Sequence, residues 1–348
     1  MDDIIPSVLS GRQLNSTLLL QSLIVPDEPI AQRYIGLAIL HILLGLWICL
    51  SNLSQVVTIL MDRQLRRTPR NLLMVNVSVS ELIIGVFSCP LYTDSLLHGM
   101  WRHSASACIS YEAIFYLQAG ISLLAVLMVS VERFYYILSP KMLEGSGNGI
   151  FSGILIFLPW GIGLSLILPM YMEGADVFNV RFEGDVCIIL WKKQFQIVTC
   201  FTSFFGPSFL VLTMMVAVIV LFFIFSVTAK IRCVDMHFDD KSGKEALFAV
   251  CMSSCFSVCL PFPLYICLLM HLFCTQEECI ASEAVWGAVM ILAMIKSGVM
   301  PLVWLVYADV RQAYRSVLAR RWRAPRHRSN SFMLYDEVSS QSTVMTQI

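Results

Sequence analysis

Residues 194–229 read QFQIVTCFTSFFGPSFLVLTMMVAVIVLFFIFSVTA and contain no Asp, Glu, Lys or Arg. A helix needs about 20 mostly apolar residues to cross the hydrocarbon core of a bilayer, and this run is longer than that. Backbone polar groups cannot stay unpaired in lipid, so the run predicts a transmembrane helix. Strands of a membrane barrel are excluded, because they alternate apolar and polar residues over about 10 positions.

Six further apolar runs follow the same pattern. Four of them are also free of charge, at 34–61, 113–131, 145–172 and 246–276. The other two, 71–93 and 284–308, carry one charged residue each, Glu81 and Lys296. We therefore predict an all-α membrane protein with a seven-transmembrane helix bundle over residues 34–308. Its spans are predicted at about 34–61, 71–96, 106–138, 148–172, 194–229, 244–273 and 282–307.

The composition agrees with a membrane protein. Of the 348 residues, 57% are hydrophobic and 14% are charged, whereas a soluble domain usually carries about 25% charged residues. A disordered chain is excluded because it needs low hydrophobicity. The 24 Lys and Arg residues are balanced by 24 Asp and Glu residues, so we expect membrane lipid as a partner and no nucleic acid.

The basic residues predict the orientation of the bundle. If the N-terminus lies outside, the inner segments 62–70, 132–144, 230–245 and 309–348 hold 17 of the Lys and Arg residues, and the outer segments hold 6. Cytoplasmic loops carry the excess of basic residues, so residues 1–33 are predicted to be extracellular and the C-terminus cytoplasmic. Asn15 begins a glycosylation sequon, Asn15-Ser16-Thr17, on the outer side.

Four of the 12 cysteines are placed at the outer side. Cys108 stands at the outer end of span 3 and Cys187 in the long outer loop after span 4, while Cys274 and Cys279 flank the short outer loop before span 7. An oxidising exterior allows the pairs Cys108–Cys187 and Cys274–Cys279 to form disulfides. Free thiols are the alternative for both pairs.

Several motifs, in order and with matching spacing, resemble the rhodopsin-like (class A) G-protein-coupled receptors over roughly residues 34–321. At the inner end of span 3, Glu132-Arg133-Phe134 resembles the family's acidic-Arg-aromatic triplet, 25 residues after Cys108. The other matching residues are Asn52, Trp101, Trp160, Pro169, Pro207, Pro261 and Pro301. The resemblance implies an orphan-like plasma-membrane receptor for an extracellular ligand. It would couple to heterotrimeric G proteins through the triplet, with arrestin as a further partner.

The segment after span 7 adds an eighth helix and a tail. Within 309–321, Val310, Tyr314, Val317 and Leu318 fall on one helical face and arginines on the other. This pattern predicts an amphipathic helix in the inner interface, like the family's eighth helix. Residues 322–348 are predicted to form the cytoplasmic tail. It ends in Thr346-Gln347-Ile348, a terminus that could add a strand to a PDZ-type scaffold domain.

The resemblance departs at residues that the family uses for activation. The family's Asn-Pro-x-x-Tyr motif is Met300-Pro301-Leu302-Val303-Trp304 here, Met215 replaces the tyrosine of span 5, and Cys259-Leu260-Pro261 replaces the tryptophan segment of span 6. Met215 and Trp304 cannot supply the two tyrosine hydroxyls, so we expect an atypical switch. These departures also favour the alternative of a non-signalling decoy, chaperone-like protein or heteromer subunit.

Three polar residues of the spans share one depth. Glu81, Ser122 and Lys296 each lie 11 residues from the inner end of their span, about 16 Å above the inner surface at ~1.5 Å per residue. Lone charges near the middle of a bilayer are costly, so we expect Glu81 and Lys296 to face the interior and to pair.

The resemblance implies that this polar site corresponds to the family's sodium site. In the family, the positions of Glu81 and Lys296 line a sodium site together with a span 3 serine, here Ser122. We predict that the Lys296 ammonium replaces the sodium ion, near Ser122 and Ser297, with Asn52 in the same polar site. In one alternative, Lys296 snorkels or stays neutral without touching Glu81. In another, it is an opsin-type Schiff-base lysine, but that lysine stands seven residues before the span 7 proline and Lys296 stands five before Pro301.

Several sequence features bear on the ligand. Phe115 occupies the place of the aspartate that amine receptors of the family use, so a monoamine is not expected. The alternating residues of 177–189 predict a hairpin, and the acidic outer rim favours a peptide or cationic ligand.

The sequence contains neither a glycine-rich phosphate loop nor an HExxH motif, so we expect no enzyme and no cofactor. A transporter remains a third alternative because paired charges also mark ion paths, although no repeat symmetry is evident.

Overall fold

Helices dominate the part of the chain that the structure describes. The computed structural model describes residues 30–98, 101–139, 148–173, 179–181, 188–190, 193–232, 240–273 and 283–322. The α-helices are Ile30–Met61, Pro69–Ile83, Cys89–His98, Ala105–Leu138, Asn148–Glu173, Lys193–Cys200, Gly206–Arg232, Asp240–Cys259, Phe262–Phe273, Glu283–Trp304 and Ala308–Trp322. Leu65–Arg67 is a 3₁₀ turn, and Ile84–Ser88 and Phe201–Phe205 are π-helical turns.

Within the described residues, seven helical segments are long and apolar enough to cross a membrane, which confirms the predicted seven-span bundle. We name them spans 1 to 7: Ile35–Met61, Pro69–His98, Ala105–Leu138, Gly149–Leu166, Ile197–Thr228, Ser242–Met270 and Val285–Trp304. By convention, the outer end of the bundle is the end at which span 1 begins, and the inner end is the opposite one.

Prolines explain where the spans depart from regular α-helix. Pro90 follows the π turn of span 2, and Pro207 follows the π turn of span 5. Because proline has no N–H and clashes with the preceding turn, a wider turn accommodates it without ending the helix. Span 6 contains two prolines in close succession, Pro261 and Pro263, and its helix stops at Cys259 and resumes at Phe262.

Span 3 forms the centre of the bundle. Of its most apolar stretch, 72% of the residues are buried, against 11% in span 5 and 22% in span 4. Spans 2 and 4 are joined through polar groups: Trp160 Nε1 donates to Asn76 Oδ1 at 2.7 Å, and Asn76 Nδ2 donates to the Ile156 carbonyl at 3.1 Å. Large apolar side chains that remain exposed, such as Phe157 and Phe209, lie on the outward faces of these spans, as expected for helices surrounded by lipid.

A β-hairpin and a further helix also lie outside the seven spans. Strands β1 (Asn179–Arg181) and β2 (Ile188–Leu190) pair antiparallel, with Val180 opposite Ile189, so the predicted hairpin is confirmed. Helix 8 (Ala308–Trp322) follows span 7. Its Val310 is buried, and the Tyr314 hydroxyl lies 3.4 Å from Ser54 Oγ of span 1.

Close packing between spans 1 and 2 makes Gly85 sensitive to substitution. A Cβ at this position would lie 2.7 Å from Cys49 Sγ and 3.1 Å from Ile48 Cγ2. We expect Gly85→Ala to destabilise the protein by about 1–3 kcal/mol, because Cys49 and Ile48 of span 1 must shift to accept the methyl group. The measurement is the melting temperature of the purified protein. Gly161→Ala is the matched control: a Cβ there meets nothing within 4 Å. Equal melting temperatures for the two variants would contradict the prediction.

Candidate functional site

Glu81 is the centre of a buried polar cluster that joins spans 2, 3 and 7. Its side chain is fully buried. Oε1 accepts hydrogen bonds from the Ser122 hydroxyl and from the Lys296 ammonium, the latter at 2.5 Å. Oε2 accepts from Gln118 Nε2 at 3.1 Å and from the Ser297 hydroxyl at 2.6 Å. Four donors therefore surround one carboxylate, which is the environment that a buried negative charge requires.

Lys296 supplies the compensating positive charge. It is 5% exposed, and its ammonium group donates both to Glu81 Oε1 and to the Ser122 hydroxyl. A buried ammonium without an acidic partner would carry a desolvation cost of several kcal/mol. The pair makes the cluster electrically neutral while keeping two charged groups inside the bundle.

The positions of these groups follow from the spans that carry them. Glu81 lies one turn before the π turn of span 2, and Lys296 lies just over one turn before Pro301 in span 7. Sequence reasoning missed Gln118. It lies four residues before Ser122 in span 3, and residues four apart lie on the same face of a helix, so this spacing was the available signal.

Asn52 connects span 1 to the same region without touching Glu81. Its Nδ2 donates to the Ser297 carbonyl at 3.0 Å and to the Ile48 carbonyl at 3.0 Å. Pro301 has no N–H to offer the Ser297 carbonyl four residues earlier, so the Asn52 amide provides the missing donor. One turn away, Trp47 Nε1 donates to the Gly298 carbonyl at 3.0 Å. Span 1 thus holds the part of span 7 next to Lys296 in place.

A narrow cavity lies beside this polar cluster, towards spans 5 and 6. It measures about 40 Å³, room for about three water molecules. Lys296, Gln118 and Ser297 contribute to one side of it. The remaining lining is Ile84, Phe115, Ala119, Leu123, Phe204, Ser257, Pro261, Leu264, Tyr265, Met290, Ala293 and Met294. The cavity is therefore mostly apolar with one polar side.

At the inner end of span 3, Glu132 and Arg133 are both buried. Glu132 Oε2 lies 3.1 Å from Arg133 Nε, so the two side chains form an ion pair. Neither of these two atoms has a hydrogen-bond partner among the described residues. The Arg133 guanidinium also lies 5.2 Å from the centre of the Tyr136 ring. Phe134 is half-buried and packs edge-on to Tyr135.

The residues at the positions that the family uses for activation lie in different parts of the bundle. Met215 is half-buried, with its Sδ 4.0 Å from Cys255 Sγ. Cys259 is exposed and faces away from the cavity, whereas Pro261 lines it. Trp304 is fully buried, and its indole N–H has no hydrogen-bond partner among the described residues. The structure thus does not bring Met215, Cys259 and Trp304 together as one polar switch.

Several predicted residues lie outside the described part of the chain. These are Cys187, Cys274, Cys279, Asn15, Thr346 and Ile348. Cys108 is described: it is buried beside Trp101 and Tyr111 and forms a disulfide. Pro207 and Pro301 are buried in spans 5 and 7.

A family model matches most of the seven-span bundle. The model described as 7 transmembrane receptor (rhodopsin family) matches residues 51–304. The chain belongs to this family. It is thus a rhodopsin-family seven-transmembrane receptor, a class of receptors rather than of enzymes, and a multi-pass protein of the plasma membrane.

Relatives of this rhodopsin-family receptor include muscarinic acetylcholine receptors. It is 26% identical to muscarinic acetylcholine receptor M5 of Rattus norvegicus over 176 residues, which are 50% of this chain and 33% of that receptor. With muscarinic acetylcholine receptor M3 of Pongo pygmaeus the identity is 26% over 226 residues, 63% of this chain and 37% of that receptor. The matched segments span about a third of the length of these relatives.

Proposed function

We propose that this protein is a cell-surface receptor that couples to heterotrimeric G proteins through the inner end of span 3. The supporting observation is Arg133, buried next to Glu132 and facing a groove between spans 3, 5 and 6. Val218, Phe222, Ala246 and Leu247 line the same groove. Arrestin is proposed as a second inner partner. The N-terminus is proposed to be extracellular and the C-terminus cytoplasmic, on the basis of the basic residues of the inner segments.

The ligand is proposed to differ from acetylcholine, the molecule named in the names of the muscarinic relatives. Phe115 lines the cavity where an amine would need a carboxylate, and the Glu81 carboxylate, bonded to the cavity-lining residues Gln118 and Ser297, is neutralised by Lys296. A peptide or cationic ligand would instead engage the acidic residues of the outer segments and rest at the mouth of the bundle.

Lys296 is proposed to act as a tethered cation in place of a sodium ion. Its ammonium already occupies Glu81 Oε1 and the Ser122 hydroxyl, so a free cation would find neither oxygen available. The receptor should therefore respond to an extracellular ligand without modulation by sodium.

Other features complete the proposal. The bridges Cys108–Cys187 and Cys274–Cys279 and glycosylation of Asn15 are proposed for the outer side. Helix 8 is proposed to lie in the inner membrane interface, with Val310 of its apolar face packed against the bundle. The terminus Thr346-Gln347-Ile348 is proposed to bind a PDZ-type scaffold.

The coupling proposal is tested with a panel of G-protein classes. We expect the receptor, expressed alone, to accelerate nucleotide exchange in at least one class. Arg133→Gln should lower that rate by on the order of tenfold or more, because a buried charged contact is lost. Arg66→Gln is the control: Arg66 also lies at the inner end, but it donates to the Leu60 carbonyl of its own segment and is exposed.

Silence across all classes would contradict the coupling proposal. It would favour the alternative of a non-signalling decoy, chaperone-like protein or heteromer subunit, which the replacement of the inner tyrosines by Met215 and Trp304 supports. Equal exchange rates for Arg133→Gln and Arg66→Gln would contradict the role given to Arg133.

A further inference from the structure

The inner end of the bundle contains a buried tyrosine that no motif predicted. Tyr307 lies between span 7 and helix 8 and is 1% exposed. Its hydroxyl has no hydrogen-bond partner among the described residues. Burial raises the pKa of the Tyr307 phenol above its ordinary value, even though Arg133 and Arg70 act to lower it. The phenol therefore stays uncharged, and its contacts to the arginines are made by the ring.

Two guanidinium groups lie near this one ring. The Arg70 guanidinium is 4.0 Å from the ring centre, and the Arg133 guanidinium is 6.0 Å from it. Both arginines are 8% exposed, so their charges are largely removed from water. A cation near an aromatic face gains most when the pair is desolvated. The ring thus lies within about 6 Å of two like charges and attracts each of them.

The start of helix 8 is tied to two spans around this ring. Asp309, in the first turn of helix 8, forms an ion pair with Arg70 of span 2. Glu245 of span 6 accepts from the Ala308 N–H at 3.3 Å and lies 3.4 Å from an Arg311 nitrogen. Tyr307 immediately precedes this anchored turn, so its ring cannot move freely while these contacts persist.

We propose that Tyr307 is the residue that positions Arg133 for G-protein engagement, with its ring held in place by the Arg70–Asp309 ion pair. The inference rests on the proposed G-protein coupling. Tyr307 stands three residues after Trp304, in the turn that follows span 7, and its N–H donates to the Trp304 carbonyl at 3.2 Å. The aromatic contact to the span 3 arginine thus comes from the turn after span 7, and it uses the ring rather than a hydroxyl.

The test compares two substitutions that separate the ring from the hydroxyl. Full-length receptor in lipid nanodiscs is assayed for nucleotide exchange with the most responsive G protein of the panel, at matched receptor amounts. Tyr307→Leu should lower the exchange rate by about tenfold, the loss of one desolvated cation–aromatic contact. Tyr307→Phe should stay within about twofold of the unsubstituted receptor, because it keeps the ring. Tyr314→Leu, which removes a half-buried tyrosine of helix 8, is the control for loosening of that helix.

A second measurement does not depend on G protein. This measurement is a double-mutant cycle with the melting temperature as the readout. Tyr307→Leu should lower the melting temperature of the unsubstituted receptor. It should lower the melting temperature of the Arg133→Gln variant much less, because the guanidinium that contacts the ring is already absent there. A merely structural role would lower the melting temperature equally in both backgrounds.

The outcomes separate this inference from the coupling proposal. If the unsubstituted receptor drives no exchange, the coupling proposal fails and the positioning role fails with it. If exchange occurs and depends on Arg133 but is unchanged by Tyr307→Leu, only the role of Tyr307 is overturned. If Tyr307→Phe loses as much as Tyr307→Leu, the hydroxyl and not the ring is responsible, and the inference is again overturned.

Discussion

Glu81→Gln should remove most of the receptor from the cell surface. The substitution leaves the Lys296 ammonium 5% exposed beside a neutral amide, with no acidic partner among the described residues. Breaking a buried ion pair from one side costs about 3–5 kcal/mol, because the remaining charge stays desolvated. That loss is a large fraction of the about 5–15 kcal/mol that stabilises a typical native protein. The measurement is surface expression by flow cytometry, together with the melting temperature of the purified protein.

Three further variants sharpen this prediction. Lys296→Met should be as damaging as Glu81→Gln, since it strands the carboxylate instead. The charge-swapped double variant Glu81→Lys with Lys296→Glu should recover part of the expression, because the pair is restored in reverse. Arg63→Met, at an exposed arginine just after span 1, is the control. Normal expression of both single variants would show that the two charges do not depend on each other.

The same pair predicts the response to sodium. The melting temperature of the unsubstituted receptor should be equal in sodium chloride and choline chloride at the same ionic strength, because the Lys296 ammonium occupies the carboxylate and serine oxygens. Lys296→Asn removes that ammonium and should make the melting temperature sodium-dependent. A sodium-dependent shift in the unsubstituted receptor would refute the tethered-cation hypothesis.

Trp304→Ala is expected to have a similarly large effect. Trp304 is fully buried at the inner end of span 7, and it belongs to the main apolar core together with Val303 and Met300. Truncating a buried tryptophan to alanine costs about 3–5 kcal/mol, the sum of lost burial and the cavity left behind. Trp304→Tyr restores the family's residue but removes part of the same volume, so a smaller loss of stability is expected. Thermal unfolding in detergent measures both.

Leu302→Ala provides the matched comparison. Leu302 lies two residues from Trp304 in the same span, but it is 48% exposed on the outward face. Its truncation should change the melting temperature little. If Trp304→Ala were no worse than Leu302→Ala, the indole would not be the packing residue that its burial indicates.

The number and order of the spans could be predicted from the sequence because the membrane imposes a length. A run such as 194–229 must cross the hydrocarbon core as a helix, since no other local structure satisfies its backbone there. The depth of a residue in the membrane also follows from its position within its own span. The rise per residue places Glu81, Ser122 and Lys296 at one depth, and this prediction needs no information about how the spans pack. The hairpin followed from alternation within a few residues, which is also local information.

The lateral arrangement could not be derived in this way. Gln118 contacts Glu81 because spans 2 and 3 approach each other at one particular rotation about their axes, and Asn52 reaches the Ser297 carbonyl because span 1 lies against the proline-interrupted part of span 7. The outward position of Cys259 likewise depends on the break of span 6 between Cys259 and Phe262.

Sequence by itself thus determined the class of protein, the seven spans and the depth at which the charged residues lie. Only the tertiary structure decided which side chains meet at that depth, and that the Tyr307 ring lies close to both Arg70 and Arg133. The physical reason is that hydrophobicity sets how a helix sits along the membrane normal. Side-chain packing between helices sets their rotation and separation, and no spacing along a single helix encodes those quantities.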